Sequence, residues 1–150
     1  MVNIVIEVSK YLLILLIAAY TYWNFSYFRF RDPWQQGRVC VRQNAAMFLL
    51  HFVAYAVLFL KSEDERVILF YLAQVVFLAV YLGLYKVFYP LRSRLLVNNM
   101  CMLLCIGFVI LTRLDFDKAI RQFVIVAISA LITWIIPFIL ERVWQLANIP

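Results

Sequence analysis

The segment "GFVILTRLDFDKAIRQFVIV" (residues 107–126) places a short charged stretch between two apolar runs, and this alternation decides the fold. A run of about twenty apolar residues is long enough to cross a bilayer as a helix. The charged residues between the runs are expected at a membrane surface, where one helix ends and the next begins. The segment is therefore predicted to be a hairpin of two membrane helices.

The rest of the chain is equally apolar. Hydrophobic residues make up 67% of its 150 residues, and its mean hydropathy is +0.91. A water-soluble domain of this length cannot bury such a fraction in its core. In hydrocarbon only helices and closed barrels satisfy their backbone groups, and these apolar runs lack the alternation of barrel strands. The predicted fold class is an all-α integral membrane protein with about five transmembrane helices.

Five segments qualify as transmembrane helices, and a four-helix arrangement is the alternative. The five are residues 4–25, 45–60, 67–89, 95–111 and 123–140. The second and fourth are short and are expected to extend into flanking residues such as 41–44 and 112–114. Glu7 and Lys10 interrupt the first apolar run, so we predict no cleavable signal peptide and expect this segment to stay in the membrane. Gly83 and Gly107 are expected to let neighbouring helices approach closely.

The distribution of lysine and arginine predicts the orientation, because cytoplasmic loops are enriched in these residues. The loops after the first and third spans and the C-terminal tail carry eight of them, and the opposite side carries five, or six with Lys10. This bias predicts an external N-terminus and a cytoplasmic C-terminus. The net charge of +6 thus lies beside apolar spans, which favours membrane lipids as partners and gives no indication of nucleic acid.

Polar residues inside the predicted spans are candidate contacts or sites, because such residues are costly in lipid. They are Glu7, Lys10, His51, Gln74, Asn98 and Asn99. Glu7 and Lys10 share one helix face and can form an ion pair. His51 and the amides are expected to hydrogen bond to neighbouring helices. No span shows a polar stripe, and no chain of titratable residues crosses the membrane, which counts against a transporter or channel.

The cysteine and histidine residues do not assemble into a recognisable metal site. Cys40, Cys101 and Cys105 form no CxxC motif, and His51 is the only histidine. Cys101 and Cys105 lie four residues apart on one helix face, where a disulfide is awkward and packing is the expected role. The acidic turn "KSEDER" (residues 61–66) allows a divalent-ion interpretation, but a solvated turn is favoured. We predict neither a metal nor a cofactor.

Helix-end chemistry explains part of the charged turn. Asp115 or Asp117 can cap the N-terminus of the fifth span, and Arg113 lies at the C-terminal end of the fourth. Capping does not account for Arg121 and Gln122, which follow one turn later at the entrance to lipid.

Residues 103–122, "LLCIGFVILTRLDFDKAIRQ", resemble the first hairpin of the FtsW/RodA/SpoVE family, the SEDS proteins. In that hairpin an apolar helix containing glycine leads into an Arg-Leu-Asp turn, and the chain resumes with Ala-x-Arg-Gln. The matching positions are Gly107, Arg113, Leu114, Asp115, Ala119, Arg121 and Gln122. The resemblance extends over about residues 95–150. One departure is that the family commonly has an aromatic residue, often tryptophan, a few positions after Arg-Gln, whereas here Phe123 follows at once and residues 124–129 contain none.

The resemblance implies a multi-pass peptidoglycan glycosyltransferase of the bacterial cytoplasmic (inner) membrane. Such enzymes polymerise lipid II for cell-wall synthesis in cell division, elongation (cell shape) or sporulation, usually with a class B penicillin-binding protein. Residues 1–90 would be a three-helix extension, and residues 91–150 the first hairpin of a truncated core, with Pro90 at the boundary. The family's catalytic residue lies in a loop farther along its chain, so we expect no catalytic residue here.

Other classes of function stay open on the sequence alone. In the favoured interpretation the chain is the N-terminal part of a SEDS-type polymerase, in which Arg113, Arg121 and Gln122 would stabilise the external face. The alternative is a small self-contained membrane scaffold or assembly protein, which acts through helix-helix contacts and needs no catalytic group. A transporter or channel ranks third. A hydrolase or oxidoreductase has no support, since no nucleophile lies beside a base and no cofactor loop is present.

Overall fold

A computed structural model describes the backbone of residues 2–89 and 93–147 and the side chains of residues 3–89, 93–136 and 139. Five helices account for nearly all of this part. They are α1 (Val2–Arg29), α2 (Pro33–Ser62), α3 (Glu65–Phe88), α4 (Arg94–Leu114) and α5 (Phe116–Ala147). Each contains a stretch long and apolar enough to cross a membrane. The all-α prediction with five such helices is confirmed, and the four-helix alternative is wrong.

The helix α2 begins well before the predicted residue 45, because Asp32 and Pro33 start it. The Asp32 side chain accepts a hydrogen bond from the Trp34 backbone N–H at 3.4 Å, which satisfies one free donor of the first turn. Pro33 occupies that turn, where its missing N–H breaks no hydrogen bond. Arg38 and Arg42, predicted to lie in a loop, therefore lie on the helix.

A tight turn joins α2 to α3. Glu63 adopts a left-handed conformation with φ of 52° and ends α2. Asp64 caps α3, since its carboxylate accepts from the Arg66 backbone N–H at 2.9 Å and pairs with the Arg66 guanidinium at 2.8 Å. These bonds to Arg66 hold the pKa of Asp64 below its usual range. Within the described part of the chain, no three potential metal-ligating residues come together here or elsewhere.

A single residue, Asp115, separates α4 from α5. Its N–H donates to the Leu111 carbonyl at 2.8 Å, and its carbonyl accepts from the Ala119 N–H at 3.0 Å. Its carboxylate accepts from the Lys118 N–H at 3.0 Å. This one residue ends α4 and caps α5, so the prediction that Asp115 or Asp117 caps the fifth helix is confirmed for Asp115. The helix begins at Phe116, ahead of the predicted span of residues 123–140. Residues 117–122 form its first turns.

The helix α2 lies at the centre of the bundle and packs against α1, α3 and α4, whereas α5 packs on α3 and α4. The larger buried cluster contains Leu16, Tyr20, Ala46, Met47, Leu50, Leu78, Val97, Cys101, Met102 and Cys105. A smaller cluster under the α4–α5 turn contains Tyr55, Val67, Phe70 and Ala119. The predicted boundary at Pro90 lies outside the described residues, and α4 packs on α2 and α3 across it.

The Asp115 turn gives a prediction for pH dependence. The Lys118 backbone N–H, followed by the Lys118 ammonium group at 3.1 Å, holds the pKa of Asp115 below its usual range. A lowered folded-state pKa stabilises the turn above the ordinary carboxyl pKa of about 3.9 and loses this effect as pH falls through the lower value. We expect the hydrogen-exchange protection factor of the Lys118 amide to fall severalfold between about pH 6 and about pH 2.

The control for this prediction is Asp115→Asn, which keeps an oxygen acceptor but cannot change charge. Its Lys118 protection factor, measured by NMR in detergent micelles, should not depend on pH in this range. Equal pH dependence in the two proteins would contradict the assignment to Asp115.

Candidate functional site

A line of buried polar side chains follows the inward face of α2. Gln43, His51 and Tyr55 are all buried, and their spacing in multiples of four keeps them on one helix face. Each makes a hydrogen bond to another helix. His51 and Tyr55 lie in the predicted second span, and Gln43 lies in the flanking residues 41–44 that were expected to join its helix.

An amide network joins three helices around Gln43. The Asn98 side chain on α4 donates to the Cys40 carbonyl at 3.1 Å and to Gln43 Oε1 at 3.2 Å. The Gln43 side chain in turn donates to Asn24 Oδ1 on α1 at 2.9 Å. Gln43 thus bridges α1 and α4 through α2, and it is fully buried.

Two predicted polar residues, His51 and Gln74, form a buried pair between α2 and α3. His51 Nε2 lies 2.9 Å from Gln74 Oε1, and the His51 ring contacts the rings of Tyr55 and Tyr71. His51 Nδ1 and Gln74 Nε2 have no hydrogen-bond partner among the described residues. Within the same residues, His51 forms no ion pair with a carboxylate, so its surroundings are those of a packed interhelical contact.

Two tyrosines complete the buried contacts. The Tyr20 hydroxyl donates to Asn99 Oδ1 at 2.9 Å and so joins α1 to α4. Tyr55 and Thr112 have their oxygens 2.8 Å apart. The Thr112 hydroxyl donates to the Phe108 carbonyl at 2.7 Å, so Tyr55 is the donor to Thr112. Both bonds join helices that are distant in sequence.

Glu7 and Lys10 lie away from this interior. The two side chains form an ion pair with each other on the surface of α1, and both are more than half exposed. A mutually neutralised pair costs less in the outer part of a bilayer than either charge alone. The structure does not bring them to any other predicted site residue.

Five of the seven residues that carry the family resemblance form two groups at the α4–α5 turn. Ala119 is fully buried, in the cluster formed with Tyr55, Val67 and Phe70. The other group comprises Arg113, Arg121 and Gln122, which are exposed, and Asp115, which is half-buried at the turn. The hairpin therefore presents its cationic and amide groups outward, while a small residue allows α5 to pack inward.

Gly83 and Gly107 do not have the predicted packing role within the described part of the chain. A Cβ atom added at either glycine would have no heavy atom of another element within 4 Å. Both glycines lie beside open space, so the expectation of close helix approach at these positions is wrong for the contacts of this chain with itself.

The three cysteines are buried thiols. Cys101 and Cys105 lie in the larger cluster on the inward face of α4, and Cys40 lies near the start of α2, where its carbonyl accepts from Asn98. Their surroundings fit small packing residues in a helix interior.

The sequence did not predict the contacts made by Gln43, Asn24, Tyr20, Tyr55 and Thr112. One signal was available: Gln43, Met47, His51 and Tyr55 recur every four residues, and this period predicts one shared face. The partners on α1 and α4 had no comparable signal. The arrangement holds neutral groups in pairs, and its chemistry suits the joining of helices.

Comparison with known proteins identifies no relative of this chain. The chain matches no protein-family model, no curated protein and no solved structure.

Proposed function

We propose that this chain is the N-terminal membrane part of a SEDS-type peptidoglycan glycosyltransferase in the bacterial cytoplasmic membrane. The resemblance of residues 103–122 to the first hairpin of that family motivates the proposal. The observation that carries it is the exposure of α5, the second helix of that hairpin. Only 6% of the residues in its most apolar window are buried.

The exposed surface of α5 suits a helix that continues into a larger core. Apolar side chains on more than one face of this helix are exposed; they include Ile125, Ile128, Ile132, Ile135 and Ile136. In the proposed enzyme these side chains contact later helices of the polymerase. Gly107 lies beside open space on α4 and offers those helices a site of close approach.

The hairpin has a positioning role in this proposal. Ala119 fixes the start of α5 against α2 and α3. Exposed beside the turn are Arg113, Arg121 and Gln122. Their hydrogen-bond donors can stabilise the external face of the core or bind the pyrophosphate of lipid II. The chemical step belongs to a catalytic loop elsewhere in the enzyme, and a class B penicillin-binding protein is the expected partner.

The proposal requires the Asp115 turn to face the cell exterior, with the N-terminus outside and the C-terminus in the cytoplasm. Ser62 and Gln35 are exposed at opposite ends of α2, and the native cysteines are buried. A membrane-impermeant maleimide should therefore label Ser62→Cys in intact cells or spheroplasts. It should label Gln35→Cys only after the membrane is opened. The reverse pattern would overturn the orientation and the proposed role of the turn.

The activity itself is tested on the intact parent enzyme, reconstituted with its penicillin-binding protein and supplied with lipid II. Arg121→Ala should lower the rate of glycan-strand formation by about tenfold or more, the scale of a lost charged hydrogen bond. The matched control is Arg29→Ala, an exposed arginine at the end of α1, which should polymerise normally. Equal rates of glycan-strand formation in the parent, Arg121→Ala and Arg29→Ala would contradict the role of Arg121. Absence of polymerisation by the unaltered parent would contradict the enzyme proposal.

The second candidate function is a small scaffold that binds a larger membrane protein. An apolar groove of about 160 Å³ between α3 and α5 favours it, lined by residues such as Phe77, Val80, Ala130 and Trp134. A blot of membranes with an antibody to residues 31–38 separates the candidates. A band far above 17.8 kDa supports the polymerase, whereas a band at 17.8 kDa supports the scaffold.

A further inference from the structure

Three arginines line one open cavity at the ends of α2 and α4. Arg38, Arg42 and Arg94 line a volume of about 410 Å³ together with Pro33, Trp34, Gly37 and Val41. We call these seven residues the arginine pocket. It lies at the end of the bundle opposite the Asp115 turn, and none of its residues takes part in the buried hydrogen bonds of the interior.

The sequence builds this pocket from one helix face and one helix end. Trp34, Gly37, Arg38, Val41 and Arg42 follow the spacing i, i+3, i+4, i+7 and i+8, which places them on one face of α2. The first residue of α4 is Arg94, and the bonds from Asn98 to Cys40 and Gln43 hold it beside this face.

Glycine at position 37 leaves the cavity open. An added Cβ atom there would lie 3.5 Å from Arg94 Nη1, so a longer side chain would occupy the space between the two helices. The pocket therefore depends on the absence of a side chain at this position as well as on the three cations.

The positive charges of the pocket are not neutralised within the described part of the chain. No carboxylate there lies within ion-pair distance of Arg38, Arg42 or Arg94. The carboxylate of Asp32, the acidic residue nearest in sequence, accepts from the Trp34 N–H. The Arg38 guanidinium lies over the Trp34 ring at 4.9 Å, an arrangement that fixes its direction. Three unpaired cations around one cavity repel each other, and a bound anion would relieve this repulsion.

We propose that the arginine pocket binds the phosphate of an anionic phospholipid headgroup. Arginine suits this ligand because its planar donors match phosphate oxygens. Both α2 and α4 begin at the pocket, so their N-terminal dipoles also favour a negative charge there. Trp34 and Val41 are each about two-thirds exposed and lie where a bilayer interface and acyl chains are expected. Basic pockets between membrane helices commonly bind such headgroups.

Native mass spectrometry of the detergent-solubilised chain tests the proposal, with phosphatidylglycerol and phosphatidylcholine of the same acyl chains as probes. We expect phosphatidylglycerol to be retained in preference to phosphatidylcholine. The triple variant Arg38→Gln, Arg42→Gln, Arg94→Gln should bind phosphatidylglycerol about a hundredfold more weakly. The control triple Arg29→Gln, Lys61→Gln, Lys86→Gln removes the same charge from exposed positions outside the pocket and should retain the lipid.

A second variant separates pocket shape from net charge. Gly37→Leu keeps every arginine but fills the cavity, and it should lose phosphatidylglycerol as the triple variant does. Equal losses in the pocket and control triples would overturn the proposal, because charge alone would then explain binding. Full binding by Gly37→Leu would overturn it as well. Inorganic phosphate that binds and displaces the lipid completely at equal concentration would assign the pocket to a soluble phosphate instead of a lipid.

Discussion

Phe108→Ala is expected to destabilise the folded chain by about 3–5 kcal/mol, the range for a large aromatic side chain removed from a packed interior. Phe108 is 2% exposed, and its ring contacts that of Phe123 with centroids 5.6 Å apart. Since Phe123 also contacts Phe70 and Phe77, the cavity would open where α3, α4 and α5 meet. We therefore expect the α4–α5 hairpin to separate from the bundle at a lower temperature than in the unaltered chain.

Thermal unfolding with a maleimide dye measures this change, because the thiols at positions 40, 101 and 105 are buried in the folded chain and react once it opens. The matched control is Phe25→Ala on α1, where the side chain is 74% exposed. Its midpoint should stay near that of the unaltered chain. If the two variants lowered the midpoint equally, the assigned packing of Phe108 would be incorrect.

Gln43→Leu has the second largest expected effect: it should lower the free energy of unfolding by about 1–3 kcal/mol. Leucine has nearly the same size, so the change removes hydrogen bonds with little change in packed volume. Asn24 Oδ1 would lose its donor, and Asn98 would lose one of its two acceptors. Buried polar groups without partners are costly in a helix interior.

A double-mutant cycle makes this prediction specific. Gln43→Leu and Asn98→Leu each break the same bond, so the double variant should be less destabilised than the sum of the single variants. Gln35→Leu on the exposed surface of α2 serves as the matched control and should leave the unfolding midpoint unchanged. Strict additivity of Gln43→Leu and Asn98→Leu would contradict the bond between these two side chains.

The sequence predicted the helices better than their ends. Long apolar runs indicated five helices, because hydrophobicity alone selects segments that can cross a bilayer. The start of α2 was placed too late, since Arg38 was assigned to a loop, and the fifth span was drawn from residue 123 although Asp115 was among its predicted caps. In the structure the hydrogen bonds of Asp32 and Asp115 start these helices. Capping residues were therefore a better guide to the boundaries than polarity.

The buried contacts were only partly predictable. His51, Gln74, Asn98 and Asn99 stood out because polar groups in apolar runs need partners. Their hydrogen-bond partners depend on how the helices pack. Sequence periodicity does not predict that packing. The arginine pocket shows the same limit: its α2 face follows a helical period, but the arrival of Arg94 beside Gly37 is set by the contacts between α2 and α4.

The one-residue turn at Asp115 has a mechanical consequence. Each residue of a helix turns the chain by about 100°. Because only one residue connects α4 to α5, a rotation of α5 would also move the end of α4. A partner that binds α5 and rotates it would also displace α4. This displacement would strain the Tyr55–Thr112 hydrogen bond between α2 and α4. A change in the position of α5 would thus reach α2 by several routes: the Tyr55–Thr112 pair, the bonds from Asn98 to Cys40 and Gln43, and the cluster that Ala119 shares with Tyr55.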